Sequence, residues 1–247
     1  MKIIALYSIK GGVGKTATSV NLAWLASQNQ KRTLLCDLDP QGASSYYFRI
    51  RPRKKLSPEN IVRGGGKLDK HIRGTDFEGL DLLPAHLSFR NLDLALDAAK
   101  RSKKRLSETL DYFSTDYDYI FLDCPPNLTL VSENVFRAAD LIVVPVIPTS
   151  LSINTFKQLT GFFKDQDMNR AKISGLFSMV EKRKKLHTET IEALSKTKNH
   201  FFDVRIPYLS DIEKMGVTRE PVVSTAPKSV SSKAYLALWN ELRTCLS

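Results

Sequence analysis

At 247 residues, 42% hydrophobic and 26% charged, the chain has apolar material for a sizeable core and reads as one large globular domain, not a fibrous or disordered chain. Three scattered cysteines (36, 124 and 245) and four histidines (71, 86, 187 and 200) without ligand spacing exclude a disulfide framework, a zinc site and an iron–sulfur site. A net charge of +11 points to a polyanionic partner, nucleic acid or an anionic membrane surface.

Taken in chain order, the pattern alternates strand and helix. KIIALYS (2–8) is a short apolar run that stops at glycines, as a buried strand does, and 15–28 places Val20, Ala23, Trp24 and Ala26 at helical spacing. Strands are predicted at 32–39 and 80–85, with an irregular, mobile excursion between them at 49–75 that holds RIRPRKK and the glycines 64–66. Helices follow at 88–99 and 103–113, then strands at 117–123 and 140–146 around a helix near 129–138. The rest reads as a helix at 150–166, a strand at 172–180, a helix near 187–198, a strand near 201–206 and a last helix near 229–246. This alternation predicts a three-layer α/β fold: a mostly parallel sheet with helices on both faces. No apolar run reaches membrane-spanning length and the N-terminus has no signal-peptide layout, so the cytoplasm is the default expectation.

YSIKGGVGKTATS (7–19) lies between the first strand and the first helix. It is close to the phosphate-loop pattern G-x-x-x-x-G-K-[ST], but the opening glycine is replaced by Ile9 and an extra lysine, Lys10, precedes the glycine pair. Gly11, Gly12 and Gly14 let backbone N–H groups converge on one anion, with Val13 between them, and the helix N-terminus adds its dipole. Lys15 is placed to reach the β- and γ-phosphates, and the Thr16 hydroxyl to ligate Mg²⁺.

Two more stretches put carboxylates at strand ends, where open α/β sheets bind ligands. LCDLDPQG (35–42) carries Asp37 and Asp39, and YIFLDCPP (119–126) ends in Asp123, which reads as a Walker B carboxylate. Together with a phosphate loop they imply magnesium and water positioning.

KGGVGKT with Lys10, DLDPQG and DYIFLDCPP, in this order, resemble the deviant Walker A ATPases of the ParA/MinD group, nearest to the Soj-like partition ATPases. The resemblance is specific over 2–150 and looser to the C-terminus, through IPYLSDIEKMGVTREPV and AYLALWNEL. It implies a P-loop ATPase fold, ATP and Mg²⁺ as ligands, and a nucleotide-sandwich homodimer in which Lys10 reaches the partner's phosphates. It also implies that Gly11 to Ala17 cradle the nucleotide, that Asp39 holds the attacking water and a place near the metal, and that Thr16 and Asp123 complete the metal shell. The base is expected near the end of 173–183 and near Pro207; where an Asn or Asp is frequent in the family, this chain has Val180 and Glu181. Ala17 and Asn127 also depart from the family pattern.

Three readings compete. The first is a ParA-type ATPase whose ATP dimer binds duplex DNA without sequence preference and answers to a ParB-like partner; the second is a MinD-type membrane ATPase. The third is a soluble synthetase or metallochaperone on the same fold. The tail lacks a basic amphipathic extension: Leu236, Leu238, Trp239, Leu242 and Leu246 read as a packing stripe, so no stable membrane anchor is expected. Paired cysteines for a cluster carrier are missing. Basic runs occur at 49–55, 100–105 and 182–185. By resemblance, the DNA surface is ranked at Lys182, Arg183, Lys184, Lys185, Arg205, Arg219, Lys228 and Lys233, with no N-terminal helix-turn-helix and a nucleoid-associated location.

Overall fold

The computed structural model describes residues 1–195 and 200–246. In chain order it forms β1 (Lys2–Leu6), α1 (Lys15–Gln28), β2 (Thr33–Asp37), α2 (Ala43–Tyr47), α3 (Pro58–Arg63), α4 (Gly66–Asp69), β3 (Arg73–Gly74) and β4 (Leu80–Leu83). Then follow α5 (Leu92–Asp97), α6 (Arg105–Asp111), β5 (Tyr119–Asp123), α7 (Leu130–Ala138), β6 (Leu141–Val146) and α8 (Ser150–Asp165). The rest is β7 (Ile173–Val180), α9 (Lys185–Ser195), β8 (Phe201–Pro207), α10 (Ser210–Thr218), α11 (Val222–Thr225) and α12 (Val230–Leu246). The strands build one eight-stranded sheet in the order β3-β4-β2-β5-β1-β6-β7-β8, parallel except for the β3–β4 pair.

The central strands are apolar on both faces because both faces are covered. Ile3 and Ala5 of β1 join a core with Leu106 and Leu110 of α6, Val135 of α7 and Phe156 of α8. Ile4 and Leu6 face the other way, onto Val20 and Leu22 of α1 and Leu238 and Trp239 of α12. This period-two division explains why the strands read as continuous apolar runs. Every parallel strand ends on the same edge, so the loops after β1, β2, β5 and β6 meet there.

Several expectations are corrected. The excursion 49–75 is folded: Leu56, Ile61 and Leu68 are buried in the first core, α3 begins with Pro58, and Ser57 and Asn60 form a reciprocal cap. The predicted helices 88–99 and 103–113 both open as 3₁₀ turns, Leu87–Asn91 and Ser102–Lys104. The helix expected at 187–198 starts at Lys185, and its positions 196–198 lie outside the described residues. On α12 the buried stripe is Tyr235, Leu238, Trp239 and Leu242; Leu236, one position off the 3–4 spacing, is 46% exposed. Helices α2, α10 and α11 have no counterpart in the sequence reading; α2 and α11, at five and four residues, are too short to show a period. Cys36 and Cys124 are buried core residues and Cys245 is exposed.

Candidate functional site

After β1 the chain turns tightly into α1. Gly12 and Gly14 have φ of 69° and 92°, and a Cβ on Gly14 would stand 3.0 Å from Ser178 Oγ of β7, so only glycine satisfies both backbone and space there. α1 then opens with Lys15, which is 7% exposed, and its Nζ donates to the Lys10 carbonyl at 3.4 Å. Burial pushes the Lys15 ammonium below the usual lysine pKa, while Asp123, Cys124 and Asp39 oppose that shift. An unpaired cation in a glycine cradle is the electrostatic complement of a polyphosphate.

The two lysines of the loop part company. Lys10 is half-buried, and its Nζ lies 3.4 Å from Ser152 Oγ in the first turn of α8. It does not line the cleft that Gly11 to Ala17 border.

Behind the loop stand two carboxylates on neighbouring strands, in register: Asp37 of β2 opposite Asp123 of β5. Both are buried, at 0% and 1% exposure. Burial raises both pKa values; the charge of Asp123 raises Asp37 further, whereas hydrogen bonds from Ser44 and Thr16 and the charge of Lys15 pull Asp123 back down. Helix α2 is pinned by them. Ser45 donates through N (2.8 Å) and Oγ (2.7 Å) to Asp37 Oδ2, and Ser44 Oγ donates to Asp123 Oδ2 at 2.8 Å. Sequence reasoning missed Ser44 and Ser45, whose signal was two adjacent hydroxyls just after DLDPQG.

The remaining oxygens, Asp37 Oδ1 and Asp123 Oδ1, are buried without a hydrogen-bond partner. Such orphans in low dielectric are costly, and a cation beside Thr16 and Asp123 would relieve one of them. No group of three His, Cys, Asp or Glu side chains among the described residues could hold a metal. The donor set therefore fits Mg²⁺, which uses few protein carboxylates beside hydroxyl, phosphate and water oxygens, and not a protein-caged transition metal. Asp39 lies at the rim, half-buried and lining the cleft, with Oδ1 accepting from Gln41 N at 2.9 Å.

The cleft has a volume of about 370 Å³. Its far end is walled by Met179 of β7, Ile206 and Pro207 of β8, Leu209 just before α10 and Ile212 within it, with the Tyr208 hydroxyl donating to Glu213 Oε1 at 2.7 Å. Pro207, expected from the sequence near the base, lines this end of the cleft. Val180 and Glu181 do not line the cleft; Ser178 and Met179 do.

α2 and α10 are latched together. The Tyr46 hydroxyl donates to Gly216 O at 3.1 Å, Arg219 Nε donates to Tyr46 O at 2.9 Å, and the Arg219 guanidinium lies 4.4 Å from the Tyr46 ring centroid. Arg49 closes the latch, donating to Arg219 O at 3.0 Å and pairing with Asp76 at 2.6 Å. Arg219, ranked with the DNA cations from sequence, is thereby engaged within the protein.

The other ranked cations are exposed. Lys182 to Lys185 follow β7 and Arg205 is on β8, so they share one sheet edge; Lys184 pairs with Glu181 at 2.5 Å and Lys185 with Glu189 at 3.5 Å. Lys228 and Lys233 flank the start of α12, which packs on β8. No helix among the described residues is long and apolar enough to cross a membrane.

A family model described as AAA domain matches residues 1–174. The chain is 31% identical to the sporulation initiation inhibitor protein Soj of Bacillus subtilis, covering 98% of each, and 31% identical to a ParA family protein of Chlamydia muridarum, covering 98% of this chain and 97% of that one. Among solved structures, a putative plasmid partition protein of Borrelia burgdorferi bound to AMPPNP superposes with a TM-score of 0.85 at 24% identity, over 98% of both chains, and shares the fold.

Proposed function

The chain belongs to the ParA/Soj family of P-loop ATPases, and from that premise we propose that it is a Mg²⁺-dependent, ATP-driven dimerisation switch whose closed dimer binds duplex DNA without sequence preference. The observation that carries the reading is the division of labour between two lysines. Lys15 sits inside the cleft, whereas Lys10 turns its ammonium out of it, onto Ser152. The rim around Lys10, at the ends of β5, β1 and β6, exposes Leu128 (40%) and Leu151 (62%). Those apolar groups are what a second protomer would cover. A polyphosphate buried between two protomers needs more cations than one Lys15 supplies, and Lys10 of the facing protomer supplies the missing one.

Within the cleft, the backbone of Gly11 to Ala17 and the Lys15 ammonium hold the phosphates, and the apolar wall with Pro207 takes the adenine. Thr16 and Asp123, with Asp39 at the edge, would hold Mg²⁺, which supplies charge neutralisation at the β- and γ-phosphates. Asp39 orients the attacking water from the rim. The DNA surface consists of Lys182, Arg183, Lys184, Lys185, Arg205, Lys228 and Lys233; the exposed pairs to Glu181 and Glu189 are weak enough to exchange for phosphate. A ParB-like protein completes the cycle by stimulating hydrolysis, and the ATP state is nucleoid-associated.

The test is DNA binding and sedimentation with no nucleotide, ADP and ATP. ATP alone should give a dimer and tight, salt-sensitive DNA binding, and Lys10→Ala should still bind ATP yet stay monomeric. A Lys10→Ala dimer as stable as the parent's would refute the action across the interface. Binding to anionic vesicles with none to DNA would favour a membrane ATPase.

A further inference from the structure

The excursion 51–71 encloses a concave basic surface that the nucleotide chemistry does not use. Arg53, Lys54, Lys55, Lys67 and Lys70 line a cavity of about 340 Å³ with Asn60 and His71, and no carboxylate lines it. All five cations are exposed, and none forms an ion pair with the described residues. That contrasts with Lys184 and Lys185, each with its own glutamate.

The groove is built, not incidental. Asn60 Oδ1 accepts from Ser57 N at 2.7 Å, which leaves its N–H₂ group as the donor available to a ligand. His71 is 7% exposed, and its Nδ1 is buried with no hydrogen-bond partner. Burial, and secondarily the neighbouring Arg53 charge, push its pKa down. Leu56, Ile61 and Leu68 anchor the segment in the core, so the cations are held on a folded scaffold. The basic run 100–105 adjoins it, because Arg105 donates to the Val62 and Arg63 carbonyls at the end of α3.

No Phe, Tyr or Trp lines the cavity and the His71 ring is buried, so it lacks the exposed aromatic platform on which single-stranded bases stack. Lysine ammoniums act as point charges that accept phosphate at many angles. Four of them with the Arg53 guanidinium exceed what one small phosphate needs and suit a row of phosphodiesters. His71 lies two residues before the edge strand β3, whereas Lys182 to Lys185 flank β7 and β8 at the opposite edge of the eight-stranded sheet. At ~4.8 Å between strands, the edges are about 30 Å apart.

We propose that this cavity is a second nucleic-acid site, which holds backbone phosphates of duplex DNA on the sheet edge opposite the 182–185 run. It rests on the reading that the chain binds DNA, and it gives each protomer two DNA-binding faces, enough to hold two duplex segments at once.

The test is a salt titration of short-duplex binding by the ATP-bound protein and two variants. One carries Lys54→Gln, Lys55→Gln, Lys67→Gln and Lys70→Gln; the other carries Lys182→Gln, Arg183→Gln, Lys184→Gln and Lys185→Gln. ATP turnover without DNA reports that both are folded. Each phosphate that a variant no longer neutralises should flatten the slope of log affinity against log salt by about 0.9, so two such phosphates cost roughly 50-fold in affinity at about 100 mM salt. The expected result is a flatter slope in the first variant, additive with the second, and residual DNA binding by the second that disappears when the two are combined. A first variant with the parent's slope overturns the inference and leaves the DNA reading intact. A parent that binds no DNA in any nucleotide state overturns both. If pyrophosphate moves the His71 ring resonances while the DNA slope stays unchanged, the cavity takes a small anion and the inference is again overturned.

Discussion

The two ends of the nucleotide cleft are built on opposite plans. At the phosphate end, eight consecutive residues, 10–17, supply the loop, and behind them a buried lysine and two buried carboxylates stand within one water-excluded cluster. The far end has apolar walls contributed by β7, β8 and α10, and α10 is bonded to α2 through the latch between Tyr46 and Arg219. The difference teaches where specificity and switching can reside. Buried charge gains little until a ligand of opposite charge arrives, so the phosphate end is poised to respond to the γ-phosphate and metal. The apolar end offers contact area that is the same for ATP and ADP, so it supports binding without distinguishing the two.

The largest break in this contrast comes from Lys15→Ala. It leaves a bound polyphosphate facing Asp37 and Asp123 without their cation, and ATP affinity should fall roughly a thousandfold, about 4 kcal/mol, by calorimetry. Normal affinity in that variant would remove the charge logic of the phosphate end altogether.

Asp39→Ala separates binding from turnover. Its carboxylate lines the rim and, among the described residues, bonds only Gln41 N, so ATP affinity should hold while the rate of hydrolysis falls about 100-fold. Single-turnover phosphate release measures this; an unchanged rate would transfer the role to Asp37.

Arg219→Ala probes the link between the ends. Losing the stack on Tyr46 and the bond to its carbonyl should free α2 from α10 and weaken ATP binding about five- to tenfold. The salt slope for DNA should stay unchanged, which separates a latch from a phosphate-binding cation. Arg219→Lys should recover part of the ATP affinity and Tyr46→Phe should lose less.

The smallest expected effect is on stability against pH in the nucleotide-free protein. Asp37 keeps its proton in the folded state to higher pH than in the unfolded chain, because burial and Asp123 penalise its charge. Its contribution is therefore fully present below the ordinary carboxylate pKa, about 4, and is lost as pH rises through neutral. Asp37→Asn keeps an acceptor for Ser45 and removes that dependence. In urea melts at pH 5 and pH 8, the difference between parent and variant should change by about 1 kcal/mol in that direction. No change would mean that Asp37 ionises normally in the fold.

What the amino-acid sequence determines by itself is whatever lies within one turn of chain or one strand. The phosphate loop, the strand-end carboxylates Asp37, Asp39 and Asp123, and the parallel sheet are legible because glycine conformation, strand length and apolar period are local properties. Tertiary structure alone decides the rest. Arg219 and Tyr46 are 173 positions apart, so a cation that reads as a surface charge becomes a latch only once α10 is folded against α2. The excursion 49–75 reads as irregular because its helices are too short to show a period. Leu56, Ile61 and Leu68 find their burial only on a core supplied by α5 and α6. The outward turn of Lys10 likewise depends on Ser152, 142 positions away, being carried to the phosphate loop by the pairing of β6 with β1. A side chain's partner is a long-range fact: the sheet brings distant segments together, and no local pattern records which ones will meet.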